Sequence, residues 1–217
     1  MKSNTPLAEK LRPLAFKDII GQDHLVGENG VIRKTVKAGR VPSLILWGPP
    51  GVGKTTMAQI IATETKRPFF TLSAINSGVK DIREVIQKAS KSDMFNTVSP
   101  ILFIDEIHRF SKSQQDSLLG AVEKGTITLI GATTENPSFE VIPALISRCQ
   151  VYSLNALDKD ALIQLINHAL TEDPEYKIRK PKVVEYEALL RLSGGDARKL
   201  LNTLQLVLDF LPHENPE

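Results

Sequence analysis

Ser43-Leu-Ile-Leu-Trp-Gly48-Pro-Pro-Gly-Val-Gly-Lys54-Thr55-Thr56 is the stretch whose reading decides the fold. An apolar run, Leu44 to Trp47, breaks at Gly48 into a glycine-rich turn, and Lys54 opens a helical pattern through Met57, Ile60 and Ile61. Strand, turn and helix in this order, with G-x-x-x-x-G-K-[ST] from Gly48 to Thr55, are the context a phosphate-binding loop requires. Glycines let backbone N–H groups curl around phosphate oxygens, and the start of a helix favours negative charge. The candidate nucleotide contacts are therefore Gly48, Pro49, Pro50, Gly51, Val52, Gly53, Lys54, Thr55 and Thr56. Lys54 is expected at the β- and γ-phosphates and the Thr55 hydroxyl on Mg²⁺, while Pro49 and Pro50 stiffen the loop.

Outward from the loop, further apolar runs read as strands: Pro68 to Ser73, Ile101 to Ile104, Thr126 to Gly131 and Cys149 to Leu154. Helical patterns lie between them at Val79 to Ala89, Ser113 to Glu123 and Phe139 to Ser147. With Leu44 to Trp47 this predicts an α/β fold, a five-stranded parallel sheet flanked by helices. Before the loop, Pro6 to Gly21 reads as an arm laid on the core through Leu7, Leu11, Leu14, Phe16, Ile19 and Ile20, followed by a helix over Val31 to Ala38. From Asn155 the strands stop. Helical patterns at Asp158 to Leu170, Val183 to Leu192 and Ala197 to Phe210, joined by a polar connector over Thr171 to Pro181, predict a small all-α lid. The expected division is a core over 1–154 and a lid over 155–217, and the end at residues 212–217 reads as a loop cut within a longer chain.

Composition sets bounds on this reading. The 217 residues are 41% hydrophobic and 24% charged, which suits a globular protein with a buried core. A net charge of +2 means that bulk charge gives no argument for nucleic acid, so a local patch would have to supply one. The one cysteine, Cys149, excludes an internal disulfide and reads as a small buried apolar residue. No apolar run approaches a membrane span and the start lacks a signal-peptide pattern, so a cytoplasmic protein without a membrane partner is expected.

The second half of the site is Asp105-Glu106, at the carboxyl end of a fully apolar strand, where open parallel sheets bind ligands. Asp105 can hold Mg²⁺ and Glu106 can act as the general base on an attacking water. His108 follows on the same turn and reads as a supporting or solvent-facing group; His24 reads as a local cap or pair. Thr133, Thr134 and Asn136 end the neighbouring strand. One of them can meet the γ-phosphate or the lytic water, Thr133 before Asn136, although all three types also serve turns. Arg148 is either a surface arginine or a finger reaching a neighbouring subunit's γ-phosphate. Arg198 opens a helix, where a cation opposes the dipole and calls for an anion such as ATP.

The loop, the Asp-Glu pair, Thr-Thr-Glu-Asn, Ser-Arg-Cys and Gly-Asp-Ala-Arg occur in the order of an AAA+ ATPase of the clamp-loader group. Leu-Ile-Leu-Trp-Gly-Pro-Pro-Gly, Ile-Asp-Glu-Ile-His-Arg-Phe-Ser-Lys-Ser-Gln-Gln-Asp and the block from Gly125 to Phe139 resemble the replication-associated recombination protein A family, which includes the Werner-helicase-interacting ATPases. The similarity runs from about Pro6 to Leu211. The resemblance implies a DNA-dependent ATPase that turns ATP into ADP and phosphate with Mg²⁺ in replication-fork maintenance and recombination. A clamp-loader subunit, a branch-migration motor and an ATP-switched scaffold stand as alternatives. It implies Thr133 or a neighbour as sensor 1, Arg148 as the finger, Arg198 as sensor 2, and Ile20 and Gly21 beside the adenine. The implied partners are forked, single-stranded or gapped DNA, further copies held by a carboxyl-terminal oligomerisation domain beyond this chain, and single-strand-binding or other replication proteins, at the nucleoid. Lys80, Arg83, Arg109 and Lys112 are the candidate phosphate contacts to DNA, with solvated helix charge as the competing reading.

Overall fold

The computed structural model describes residues 5–74, 78–92 and 98–211. The arm carries helix α1 (Leu7–Lys10), a short 3-10 turn (Phe16–Asp18), α2 (Asp23–Val26) and α3 (Val31–Lys37). Then come β1 (Leu44–Trp47), α4 (Lys54–Glu64), β2 (Phe69–Ser73), α5 (Val79–Ser92), β3 (Ile101–Asp105), a 3-10 turn (Ile107–Arg109) and α6 (Lys112–Glu123). They are followed by β4 (Thr128–Thr133), α7 (Pro137–Glu140), α8 (Pro143–Ile146) and β5 (Gln150–Ser153). After β5 the described chain is helical: α9 (Lys159–Glu172), α10 (Pro174–Arg179), α11 (Glu187–Ser193) and α12 (Ala197–Phe210).

The five strands form one parallel sheet in the order β2-β3-β4-β1-β5, as the apolar runs lead one to expect. Their side chains alternate between two buried faces. Leu44, Leu46, Ile101 and Phe103 pack with Ile32, Val36, Met57 and Ile61 on one side. Ile45, Leu102, Ile104 and Leu129 pack with Ile82, Leu118 and Leu145 on the other. In the middle of the sheet both faces are covered by helices, which is why β1, and β3 up to Ile104, are apolar at every position rather than at every second one. Burying a side chain as large as that of Phe103, 0% exposed, contributes about 1.5–3 kcal/mol.

A third cluster joins Leu162, Leu165 and Ile166 of α9 to Leu200, Leu201, Leu204 and Leu208 of α12. Leu7 of the arm belongs to this helical cluster, and the Leu7 N–H donates to Gln205 Oε1 at 2.7 Å. Phe16 and Ile19 belong to the first sheet cluster. The arm therefore spans both cores instead of lying on one, and Leu14, expected to pack, is 81% exposed. Gln22 fastens it further. Its fully buried amide donates to Asn155 O at 2.8 Å and accepts from Asn155 N–H at 3.0 Å.

Several boundaries differ from the sequence reading. Strand β4 runs on through Ala132 and Thr133, which pair with Leu46 and Trp47. Pro143 divides the expected helix over Phe139 to Ser147 into α7 and α8, since proline has no N–H to continue a helix. The expected polar connector contains α10: Asp173 caps it by accepting from Glu175 and Tyr176 N–H, and Pro174 takes the first turn. The reading of residues 212–217 lies outside the described residues.

Candidate nucleotide-binding site

Because the strands are parallel, the carboxyl ends of β1, β3 and β4 share one edge of the sheet. Trp47 leads into the glycine-rich loop, Asp105 closes β3, and Thr133 pairs with Trp47 at the end of β4. Gly53, at φ 99°, takes a left-handed turn that glycine adopts with little strain and hands the chain to α4 at Lys54. Lys54 is 8% exposed, and its Nζ donates to Gly48 O at 2.6 Å and Pro49 O at 2.8 Å. Burial lowers the pKa of this ammonium group, and the charges of Glu106, Asp105 and Asp196 oppose that shift.

A cavity of about 320 Å³ opens over this edge, within the usual range for small-molecule sites of ~300–1,000 Å³. The arm lines it with Leu11, Arg12, Ile19 and Ile20, the loop and α4 with Pro50 to Thr56, and the helical segment with Leu157, Leu165, Arg198 and Leu201. Asp105 and Glu106 complete it. Apolar walls and a set of charged groups thus meet in one space, which suits a ligand with a flat apolar part and a polyanionic part. Among the described residues no group of three or more His, Cys, Asp or Glu is placed to hold a metal. The oxygen donors of Thr55 and Asp105 instead fit Mg²⁺ that takes its other ligands from phosphate and water.

Glu106 is held in an unusual way. Its backbone is left-handed, φ 53° and ψ 49°, a conformation that costs a non-glycine residue about 1–2 kcal/mol. Its Oε2 accepts from Thr134 Oγ1 at 3.4 Å and lies 3.2 Å from His108 Nδ1. The same His108 nitrogen is 2.9 Å from Thr133 Oγ1.

Other expected residues lie outside the cavity lining. Gly48 and Pro49 reach it through the carbonyls that hold Lys54, and Gly21 is set against Leu157 beside Ile20. Thr133 is fully buried, with its hydroxyl engaged by His108 and the Glu135 backbone. Asn136 caps α7 by accepting from Ser138 N–H. Of the three sensor candidates, Thr134 is thus the one that touches Glu106. Arg148 is surface-exposed; its Nε donates to Glu123 Oε1 at 2.8 Å, away from the cavity of its own chain. Lys80, Arg83, Arg109 and Lys112 are exposed. His24 Nε2 lies 2.9 Å from Ser153 O, a long-range pair rather than a local one.

Two site residues escaped the sequence reading. Arg12 lines the cavity, donates to Thr56 Oγ1 at 3.3 Å and to Glu9 Oε1 at 3.1 Å, and holds the Glu9 carboxyl below the usual carboxylate range. Its arginine-proline signal reads only as a helix breaker. Asp196 caps α12 by accepting from Lys199 N–H, and its carboxylate lies against the loop: a methyl group on Gly51 would come within 1.8 Å of Oδ1.

Residues 44–155 match the family described as ATPase family associated with various cellular activities (AAA). Replication-associated recombination protein A of Haemophilus influenzae is 46% identical over 209 residues, covering 94% of this chain and 46% of that protein. ATPase WRNIP1 of Dictyostelium discoideum is also 46% identical over 209 residues, covering 95% of this chain and 24% of its own length. The chain spans about half the length, or less, of these curated relatives. Among solved structures, the RuvB Holliday junction branch migration motor of Thermotoga maritima superposes with a TM-score of 0.71 at 26% identity, over 93% of this chain and 66% of that one.

Proposed function

The chain belongs to the AAA family of ATPases, and from that premise we propose that it is the nucleotide-binding and hydrolysing part of a replication-associated recombination protein A. The observation that carries this reading is the convergence of Lys54, Thr55, Asp105, Glu106 and Arg198 on one cavity. Lys54 meets the β- and γ-phosphates, the loop N–H groups cradle them, and Glu106 takes the proton from the attacking water. Mg²⁺, held by Thr55 and Asp105, neutralises charge on the phosphates when bound. Arg198 faces the same phosphates from α12. Thr133, Thr134 or Asn136 senses the γ-phosphate. Arg148, exposed and outside its own cavity, serves a neighbouring copy.

In this proposal residues 1–154 are the core and 155–217 a helical unit that follows the state of the nucleotide. The whole protein acts as an oligomer on DNA at stalled forks, in the cytoplasm at the nucleoid, with Lys80, Arg83, Arg109 and Lys112 on phosphates. No helix among the described residues is long and apolar enough to cross a membrane. The test is ATP turnover by the full-length protein with forked, single-stranded and duplex DNA, with Lys54→Ala as the variant that loses nucleotide affinity. Turnover indifferent to every DNA removes the DNA dependence, and absence of turnover leaves an ATP-switched scaffold. The likeness to RuvB favours a second reading, a branch-migration motor, which a four-way-junction unwinding assay separates from the first. A sliding-clamp loading assay tests the clamp-loader alternative.

A further inference from the structure

His108 stands on the 3-10 turn that follows Glu106, and its side chain is 13% exposed. The turn is seated firmly: Ile107 is fully buried, and a methyl group added at Gly131 of β4 would come within 3.1 Å of Ile107 Cδ1. The left-handed backbone of Glu106 aims its carboxylate, but side-chain partners must hold it there. Among the described residues those of Oε2 are His108 Nδ1 at 3.2 Å and the more distant Thr134 hydroxyl at 3.4 Å.

The contacts of His108 fit the form that carries a proton on Nδ1. An ionised Glu106 only accepts, so the hydrogen facing it belongs to His108 Nδ1. That N–H also faces Thr133 Oγ1 at 2.9 Å. The Thr133 hydroxyl then accepts from Glu135 N–H at 3.0 Å and donates to Glu135 O at 3.1 Å. The general base at the end of β3 is thereby tied through one imidazole to the end of β4.

We infer that His108 is a positioning residue for ATP hydrolysis, its Nδ1–H holding the Glu106 carboxylate towards the cavity and coupling it to Thr133. This rests on the reading of Glu106 as the general base. Removing the outer partner that orients a metal ligand typically costs ~10–100-fold, and by the same logic His108→Ala in the full-length protein should lower kcat by about that factor. Nucleotide affinity should stay within about twofold of wild type, because His108 meets the base and not the nucleotide.

Two further variants separate positioning from packing. In His108→Asn the amide nitrogen falls near the place of Nδ1, whereas in His108→Gln it falls near Nε2 and fills more space. Asn should restore most of kcat and Gln should not; a packing role would favour Gln. This pair decides the matter even if His108→Ala does not fold. Wild-type turnover by His108→Ala, or equal rescue by Gln and Asn, would overturn the inference. Glu106→Gln run alongside distinguishes the failures: if it hydrolyses ATP normally, the role of Glu106 itself is wrong. If it is inactive while His108→Ala is normal, only the role of His108 is wrong.

Discussion

The backbone N–H of Ala197 donates to the carbonyl of Gly51 at 3.2 Å, so the first residue of α12 is hydrogen-bonded directly to the phosphate loop. Gly51 has φ +70°, and the Asp196 carboxylate fills the space a side chain there would need. Gly51→Ala should therefore strain the backbone and push α12 off the loop, with a stability loss of about 1–3 kcal/mol. Nucleotide affinity should fall as well. A denaturant titration with a fluorescent-nucleotide titration checks both; a variant as stable and tight-binding as wild type shows that the contact holds nothing.

Glu106→Gln keeps the shape of the side chain and removes the base. It should bind ATP with nearly unchanged affinity and hydrolyse it roughly 10²–10⁴-fold more slowly. Steady-state phosphate release by the full-length protein is the measurement. Normal release would refute the assignment.

Arg148 separates stability from activity. Its bond to the exposed Glu123 is a surface ion pair, worth no more than about 1 kcal/mol, so Arg148→Ala should melt close to wild type. In the oligomer proposed for the full-length protein the same change should cut the proposed DNA-stimulated turnover by about 10³-fold or more, the usual contribution of a finger supplied in trans. Retained stimulation would leave Arg148 as a surface arginine.

Cys149 is buried, and that burial pushes its thiol from the usual 9.0 up to about 12. The native protein should resist a thiol-specific alkylating reagent at pH 8 and take up one equivalent when unfolded. The unfolded chain releases this proton from about pH 9 upward, while the folded chain keeps it until about pH 12. This group therefore lowers folding stability as pH rises across that window. Rapid labelling of the native protein would contradict the burial.

The loop, the sheet and the Asp105–Glu106 pair were legible because their signals are local. An apolar run followed by a glycine turn and a helix start lies within fourteen residues, and a doubly covered strand is apolar throughout. Long-range pairing leaves no such trace. Nothing near Arg12 in the sequence announces Thr56, 44 residues on, and nothing near Gln22 announces Asn155, 133 residues on. The extra length of β4 is set by the register of β1 beside it, and no turn residue at Ala132 marks it. Helix α10 did have a local signal, Asp173-Pro174, which the polar composition around it concealed. The link from His108 to Thr133 requires two strands to be laid side by side before it can be seen.

The place of β1 in the sheet bears on how the protein is made. Its neighbours are β4 and β5, so a ribosome must deliver residues up to Ser153 before Leu44–Trp47 has a partner on each side. Before β4 emerges the chain can pair only β2 with β3; once residues up to Thr133 are out, β4 can join β3 on one side and β1 on the other, leaving only the β5 side of the first strand open. The cavity, lined also by Arg198 and Leu201, is complete only later still in translation, long after its glycine turn has been made.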